Sequence, residues 1–302
     1  MKRVFVTGAT GFIGQHCLPL LRERGYQVHA LSTRDVFRDA KKDGVTWHWA
    51  NLHQDTTNAV LRHVRPTHLL HLAWYAEPQK YWTARENISW VATTAHLLRA
   101  FAEHGGRRVV GAGSCAEYNW RYGLCSETFT PCEPASLYGA CKYTTHLMLD
   151  AWAKQVGISG AWGRIFFLYG PHEHASRLVR SVASSLLRGE PALCSQGIQR
   201  RDFLHVQDVA EAFVKLLDSS ATGAVNIASG TPLAVSDIVW RIADLVGRRD
   251  LIKLGAIPGA EKEPSLVYAD VGRLKQEVGF APRFDLDSGL AQTIEWIKQG
   301  NL

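Results

Sequence analysis

The sequence predicts an α/β protein built on a doubly wound parallel sheet. Short apolar runs rich in β-branched residues recur along the first half of the chain, among them RVFVTG, QVHALS, THLLHLA and RRVVGAGS. Segments with helical spacing of apolar residues, such as QHCLPLLRERG and ATTAHLLRAFAEHGG, lie between them. Strands that alternate with helices in this way form parallel sheets covered by helices on both faces.

The second half of the chain predicts a smaller α/β domain. After YGPHEH the alternation weakens, and helical stretches such as RLVRSVASSLLRG and VSDIVWRIADLVG are joined by short loops and isolated strands such as AVNIAS. We expect a first domain at residues 1–166 and a second at 167–302, with some segments of the second returning to the first.

Composition and charge argue against several classes of partner. The 302 residues are 46% hydrophobic, and the formal net charge of +6 comes from basic residues that are dispersed rather than clustered. The short apolar stretch at the N-terminus is not expected to be a secretory leader, and no run of the sequence approaches the ~18 apolar residues that a membrane span needs. The six cysteines follow no disulfide-rich or metal-ligand spacing. We therefore expect a cytoplasmic protein without nucleic-acid, membrane or metal partners.

Three glycines directly after the first strand predict a dinucleotide site. Gly8, Gly11 and Gly14 in VFVTGATGFIG stand where a strand passes into a helix. Glycines there let the backbone approach a pyrophosphate, whose charge meets free N–H groups at the helix N-terminus. We expect a Rossmann-type cofactor domain, with Phe12 and Ile13 of the same loop also at the cofactor.

The end of the second strand favours NADP (NADPH) over NAD. An acidic side chain there would accept from the adenosine ribose, whereas arginine accommodates a 2′-phosphate. The chain has Ser32 and Thr33 at this position with Arg34 beside them; Asp35 keeps NAD possible if the register is shifted. The remaining expected cofactor residues follow the third and fourth strands: Asn51, whose amide would meet the adenine edge or form a turn, Leu52 and Ala73.

A tyrosine and a lysine predict acid–base chemistry. Tyr138 and Lys142 in SLYGACKYTT are four residues apart, so they share one face of a helix. A free phenol titrates near pH 10, and a neighbouring ammonium favours the phenolate. The spacing alone fits equally well a packed aromatic beside a surface lysine.

A series of motifs resembles one enzyme family. TGATGFIG, HLAWYA, GSCAEY, YGACK, FLYGPHEH, RRDFLHVQDVAEA, AVNIASG and VGFAPRFDLDSGLAQTIEW resemble, in order and spacing, the extended short-chain dehydrogenase/reductases of the epimerase/dehydratase type that act on nucleotide sugars. The resemblance implies that Ser114 and Tyr138 hold a substrate oxygen, while Lys142 also contacts the nicotinamide ribose. Hydride would pass to or from the nicotinamide, with Tyr138 handling the proton.

The resemblance extends to the substrate pocket and the assembly. Arg201 would face the diphosphate of a nucleotide-diphosphate sugar, Asn87 would order the site, and Cys115 and His172 would line the pocket. Many relatives have asparagine where this chain has Phe167, so this end of the pocket differs. Helices around residues 87–104 and 136–155 would join two copies in a homodimer.

The residues after Ser114 narrow the reaction. Relatives that dehydrate sugars carry Asp and Glu there, and Cys115 and Ala116 supply neither acid nor base. Strand alternation predicts that Glu117 points away. Relatives resembling GDP-fucose synthase use a cysteine two positions after the serine and a later histidine, but this chain has Ala116 at the first place and Arg177 near the second.

Without the additional acids and bases of these relatives, the chain keeps only the residues for hydride and proton transfer, Ser114, Tyr138 and Lys142. We therefore expect NADPH-dependent reduction of a keto group on a nucleotide-activated sugar, most plausibly a 4-keto-6-deoxyhexose. A nucleotide-sugar 4-epimerase with tightly bound NAD is the alternative, and a non-catalytic NADP-binding regulator is a minor one.

Overall fold

The structure of the chain is a computed structural model, and it describes residues 2–33, 44–54, 56–259 and 263–300. The strands are β1 (Arg3–Thr7), β2 (Gln27–Ser32), β3 (Thr46–Trp49), β4 (His68–His71), β5 (Arg108–Ser114), β6 (Leu124–Cys125), β7 (Ser159–Ile165), β8 (Phe167–Tyr169), β9 (Ala192–Cys194), β10 (Arg200–His205), β11 (Gly223–Ile227), β12 (Pro232–Ala234), β13 (Ile252–Leu254) and β14 (Leu266–Ala269). The α-helices are α1 (Gly14–Glu23), α2 (Thr56–Val64), α3 (Glu86–Glu103), α4 (Leu137–Val156), α5 (Leu178–Leu187), α6 (Val206–Asp218), α7 (Val235–Val246), α8 (Gly272–Gln276) and α9 (Leu286–Lys298). Short 3₁₀ helices span Cys115–Glu117, Trp120–Tyr122 and Arg249–Leu251.

The main sheet confirms the predicted doubly wound fold. Within the described ranges its strand order is β11-β7-β5-β4-β1-β2-β3, and every neighbouring pair is parallel. The chain winds outward from β1 in both directions, so the strand order reverses between β1 and β4. Ligands of such sheets bind at the carboxyl ends of the strands beside this reversal.

Apolar side chains alternate between the two faces of the main sheet. In β1, Val4 and Val6 join a core cluster with residues of α1 and α6, whereas Phe5 joins a separate cluster with residues of α3 and α4. Both faces are covered because successive side chains of a strand point to opposite sides.

The later part of the chain adds two smaller sheets and its own core. Strands β12, β10, β14 and β6 are neighbours in one sheet, with β8 also paired to β10, and β13 pairs with β9. Helices α5, α7 and α9 pack around a third apolar cluster. Strand β11, although it lies beyond residue 166, pairs with β7 in the main sheet. The domain division at residues 166 and 167 stays a prediction.

Among the residues the structure describes, no helix is both long and apolar enough to cross a membrane.

Candidate active site

The structure brings the three expected catalytic residues together. Ser114 is the last residue of β5, and Tyr138 and Lys142 lie in the first two turns of α4. The Tyr138 side chain is hydrogen-bonded to Ser114, and the Lys142 ammonium lies 5.9 Å from the centroid of the Tyr138 ring. A strand end and a helix start thus form one site.

A glycine and a helix cap fix the start of α4 against β5. Ser136 caps the helix by accepting a hydrogen bond from the Gly139 backbone N–H at 3.1 Å. A Cβ on Gly139 would collide with the Ala116 carbonyl oxygen, so only glycine allows this close approach. The Tyr138 backbone N–H also donates to the Trp82 carbonyl at 3.1 Å. These contacts hold Tyr138 beside Ser114.

Tyr138 keeps its proton at neutral pH. Burial raises the pKa of the phenol, and the hydrogen bond to Ser114 acts in the opposite direction without cancelling it. The neighbouring Tyr81 ring, 4.8 Å away between centroids, contributes to the burial. The phenol is therefore in the form that can donate a proton.

Lys142 is buried and partnered. It is 3% exposed, and its ammonium donates to the Ala112 carbonyl at 2.7 Å. Burial lowers the pKa of Lys142 to about 7, with the carboxylate of Glu117 acting against this shift. The charge on Lys142 is therefore sensitive to pH near neutrality.

The strand alternation used for Glu117 was a wrong premise, whereas the expected direction of its side chain, away from the substrate face, stays a prediction. Strand β5 ends at Ser114 and the chain turns into a 3₁₀ helix, so the alternation does not continue. Fully buried Glu117 accepts from the Ser114 backbone N–H at 2.8 Å. It also forms an ion pair with Arg164 at 2.7 Å and accepts from the Trp162 indole at 2.8 Å. Its carboxylate thus links the Ser114 backbone to Arg164 through buried contacts.

The two residues between Ser114 and Glu117 offer no acid or base. Cys115 is 6% exposed in the main core cluster, and burial raises the pKa of its thiol well above the usual value. Ala116 has no functional group. That Cys115 lines the substrate pocket stays a prediction; its side chain packs in the core cluster.

The glycine loop fits a dinucleotide. Gly8 has a φ of +70°, and a Cβ there would lie 2.7 Å from the Ala73 backbone nitrogen. A Cβ on Gly14 would collide with the Gly8 carbonyl, whereas one on Gly11 would meet only backbone atoms of Gly8. Helix α1 starts after Ile13, whose side chain cannot cap it. The N–H groups of Gln15, His16 and Cys17 already donate to carbonyls of the loop, so a pyrophosphate would be met by the glycine loop and the very start of α1.

The other expected cofactor residues lie along the same sheet edge. Ser32 ends β2 and is 5% exposed, whereas Arg34 lies outside the described residues. The Asn51 side-chain oxygen accepts from the His53 backbone N–H at 3.0 Å, as in a turn. Leu52 packs against a core cluster, and the Ala73 N–H donates to the Thr7 hydroxyl at 3.4 Å. Phe12 is partly buried in the glycine loop.

Arg201 lies in β10 with an acidic partner from a distant segment. It is 3% exposed and donates to Glu263 at 2.7 Å. Its neighbour Asp202 instead accepts from the backbone N–H groups of Ser229, Gly230 and Ala269. A diphosphate at Arg201 would therefore compete with the Glu263 carboxylate.

The other two expected substrate residues differ in setting. Phe167 is half-buried in β8, and its ring lies 5.5 Å from the Arg201 guanidinium. His172 is exposed, has a φ of +71°, and its ring lies 4.8 Å from that of Trp296. Phe167 thus adjoins Arg201, whereas His172 contacts the C-terminal helix.

Sequence reasoning expected Asn87 at the site but missed Trp74. Trp74 lies over Lys142 and donates from its indole to the Asn87 side chain at 2.8 Å. Asn87 in turn donates to the carbonyls of Tyr81 and Ala84. The run AWYAEPQKYW, with four aromatic residues after the fourth strand, was the available signal.

Comparisons with known proteins identify the family to which the chain belongs. The model of the NAD dependent epimerase/dehydratase family matches residues 4–228. UDP-glucuronic acid decarboxylase 1 of Danio rerio is 25% identical over 99% of this chain and 73% of its own length. UDP-glucuronate 4-epimerase 1 of Arabidopsis thaliana is 26% identical over 97% of this chain and 76% of its own.

Solved structures show the same fold. MoeE5, solved in complex with UDP-glucuronic acid and NAD, is 30% identical with a TM-score of 0.86, covering 98% of this chain and 99% of MoeE5. UDP-glucose 4-epimerase of Thermotoga maritima has a TM-score of 0.89 at 22% identity, covering 99% and 100% of the two chains. The chain is therefore an enzyme of the NAD-dependent epimerase/dehydratase family, of the extended short-chain dehydrogenase/reductase type whose members act on nucleotide sugars.

Proposed function

We propose that the protein reduces the C4 keto group of a nucleotide-activated 6-deoxyhexose with NADPH. The observation that carries this proposal is the chemistry around the Ser114 and Tyr138 hydroxyls. The three residues after Ser114 supply a buried thiol with a raised pKa, a methyl group and a carboxylate paired with Arg164. Elimination or epimerisation next to a ketone needs a further acid or base at ring carbons, and these residues provide none.

The described residues suit the roles that this reaction requires. Ser114 would donate a hydrogen bond to the carbonyl oxygen, and Tyr138 would transfer its proton to the same oxygen as the alcohol forms. The bound nicotinamide would supply the hydride to the carbonyl carbon. Lys142, four residues after Tyr138, would bind the cofactor ribose and place a cation near the phenol.

The protonated form of Tyr138 is the form that reduction of a ketone requires. Reduction begins with the phenol as an acid, whereas oxidation of an alcohol begins with the phenolate as a base. Because burial raises the pKa of Tyr138, the acid form prevails at neutral pH. The absence of a carboxylate at Ser32 supports NADPH as the cofactor.

A nucleotide-sugar 4-epimerase with tightly bound NAD is the second candidate. It would use the same Ser114, Tyr138 and Lys142, and the similarity to MoeE5, which was solved with NAD and a UDP-sugar, favours it.

One experiment separates the two. Purified protein is incubated with UDP- and dTDP-linked 4-keto-6-deoxyhexoses and either NADPH or NADH, and the product is identified by NMR. We expect NADPH to be consumed in step with substrate. Nicotinamide that copurifies with the protein, together with interconversion of UDP-glucose and UDP-galactose without net cofactor consumption, would instead establish the epimerase.

We also propose a homodimer formed through α3 and α4. Ile88 on α3 and Leu147 on α4 are 62% and 51% exposed. A mostly apolar cavity of about 260 Å³ lies between the helices, lined by Ala95, His96, Leu98, Arg99, Met148 and Trp152. Light scattering should give the mass of a dimer, and Leu147→Lys should reduce it to a monomer. Leu193→Lys on β9, at a similarly exposed leucine, is the control.

A further inference from the structure

A row of aromatic rings connects Tyr138 to Arg201. The Trp82 ring lies 5.8 Å from that of Tyr138 and 6.2 Å from that of Trp120. The Trp120 ring lies 6.4 Å from that of Phe167, and the Arg201 guanidinium lies 5.5 Å from the Phe167 ring. The row therefore links the expected proton donor to the expected diphosphate ligand.

The three middle rings of the row keep solvent-accessible surface, and hydrogen bonds hold the Trp120 indole and the Trp82 backbone. Trp82, Trp120 and Phe167 are each only partly buried. The Trp120 indole N–H donates to the Cys115 carbonyl at 2.6 Å, and the Trp82 carbonyl accepts from the Tyr138 N–H. Since the indole N–H of Trp120 is already used, Trp120 and Phe167 offer a ligand mainly carbon surface.

A hexose whose C4 oxygen is at Tyr138 and whose diphosphate is at Arg201 would have rings of this row among its neighbours. The C–H groups of a sugar ring pack well on aromatic carbon. A methyl group at C5 would add apolar contact, whereas a hydroxymethyl or carboxylate group against the rings would lose its hydration without gaining a partner.

We propose that Trp82, Trp120 and Phe167 form the sugar subsite and select hexoses with a methyl group at C5 over those with a hydroxymethyl or carboxylate group. This inference rests on the proposed nucleotide-sugar substrate, but it does not depend on the direction of the reaction. The competing source of selectivity is Arg177, which is exposed and lies 5.8 Å from the Tyr81 ring. A carboxylate that reached Arg177 would reverse the preference.

Binding rather than turnover tests the subsite. Isothermal titration compares dTDP- and UDP-linked 6-deoxyglucose, glucose and glucuronic acid, which differ only at C6 on a given nucleotide. We expect the 6-deoxy sugar to bind at least about tenfold more tightly than the other two, the usual scale for an apolar pocket. Equal affinities, tighter binding of the glucuronic acid derivative, or no binding of any of them would overturn the proposal.

Substitutions in the aromatic row test whether its rings cause the selectivity. Phe167→Asn, which introduces the residue that many relatives have, and Trp82→Leu should each reduce the discrimination severalfold. Trp240→Phe on α7, at a tryptophan packed against the third apolar cluster, should leave it unchanged. Circular dichroism verifies that each variant folds. If Phe167→Asn does not fold, Trp82→Leu alone provides the test. Unchanged discrimination in a folded variant would overturn the proposal, whereas selective binding without reduction of any ketone would overturn only the reductase.

Discussion

The ammonium of Lys142 lies 3.9 Å from the centroid of the Trp74 ring. The indole of Trp74 is itself held by the Asn87 side chain, and Trp74 also stacks on Trp90 with 5.9 Å between ring centroids. Lys142 is thus positioned by the loop after β4 as well as by its own helix. A ring face beside a desolvated cation stabilises its charged form.

Removing this ring should shift the pH dependence of catalysis. Because burial already lowers the pKa of Lys142 to about 7, Trp74→Leu should lower it further by removing the cation–π contact. As pH rises, kcat/KM should fall when Lys142 loses its proton. In Trp74→Leu this fall should move to lower pH by up to about 1.5 units, corresponding to ~2 kcal/mol. Trp74→Phe should give a smaller shift. A Trp74→Leu profile identical to the wild-type profile would show that the contact carries no energy.

Loss of the Tyr138 hydroxyl should affect turnover without affecting cofactor binding. We expect Tyr138→Phe to reduce kcat by a factor on the order of 10² or more, as for other lost proton-transfer groups. Stopped-flow measurement of cofactor oxidation gives the rate, and fluorescence titration gives cofactor affinity. Tyr143→Phe, at another tyrosine of α4, is the control. Reduction at the original rate by Tyr138→Phe would assign the proton to another group.

The buried ion pair behind Ser114 should contribute strongly to stability. Glu117→Gln leaves the Arg164 guanidinium buried without its carboxylate, and breaking such a pair costs about 3–5 kcal/mol. Denaturant unfolding measures this loss. Glu190→Gln removes the exposed pair with Arg188, whose side chains are 42% and 56% exposed, and should cost at most about 1 kcal/mol. Similar losses for both variants would contradict the structural role of Glu117.

Cofactor preference should depend on Ser32. The unmodified protein should bind NADPH more tightly than NADH, and Ser32→Asp should reverse this order because a carboxylate repels a 2′-phosphate and accepts from a ribose hydroxyl. Arg34→Ala should narrow the difference. Titration of both cofactors with each protein measures the effect, and equal or reversed affinities in the unmodified protein would refute the preference for NADPH.

The product should carry no solvent hydrogen at C3 or C5. Exchange at these carbons needs a base, and the thiol of Cys115 is buried with its pKa raised. Reduction in heavy water followed by mass spectrometry and NMR should therefore place no deuterium on C3 or C5, and Cys115→Ala should behave in the same way. Deuterium at either carbon would point to an epimerising mechanism and to a base elsewhere in the pocket.

Local spacing made the fold and the reactive core predictable from sequence. The i, i+4 spacing of Tyr138 and Lys142 and the glycines after the first strand are short-range signals, and both features appear in the structure where the pattern put them. Such signals depend only on the geometry of one helix or one turn.

The partners of these residues could not be predicted in the same way. Glu117 meets Arg164 from β7, and Arg201 meets Glu263 from a segment 62 residues away. Nothing in the local pattern of either acid marks its partner. The alternation used for Glu117 failed because a strand end is the least reliable feature of a sequence-based prediction.

Strand β11 is synthesised well after its partner strand β7, and this delay affects how the sheet forms during translation. Residues Gly223–Ile227 pair with Ala161–Ile165 of β7, so this edge of the main sheet is incomplete until the ribosome has passed residue 227. At about 5–20 residues per second, seconds separate the emergence of the two strands. During that interval β7 presents an open edge, which is a template for pairing with another nascent chain. Neighbouring chains on one polysome could therefore pair through the open edges of their β7 strands before either chain is complete.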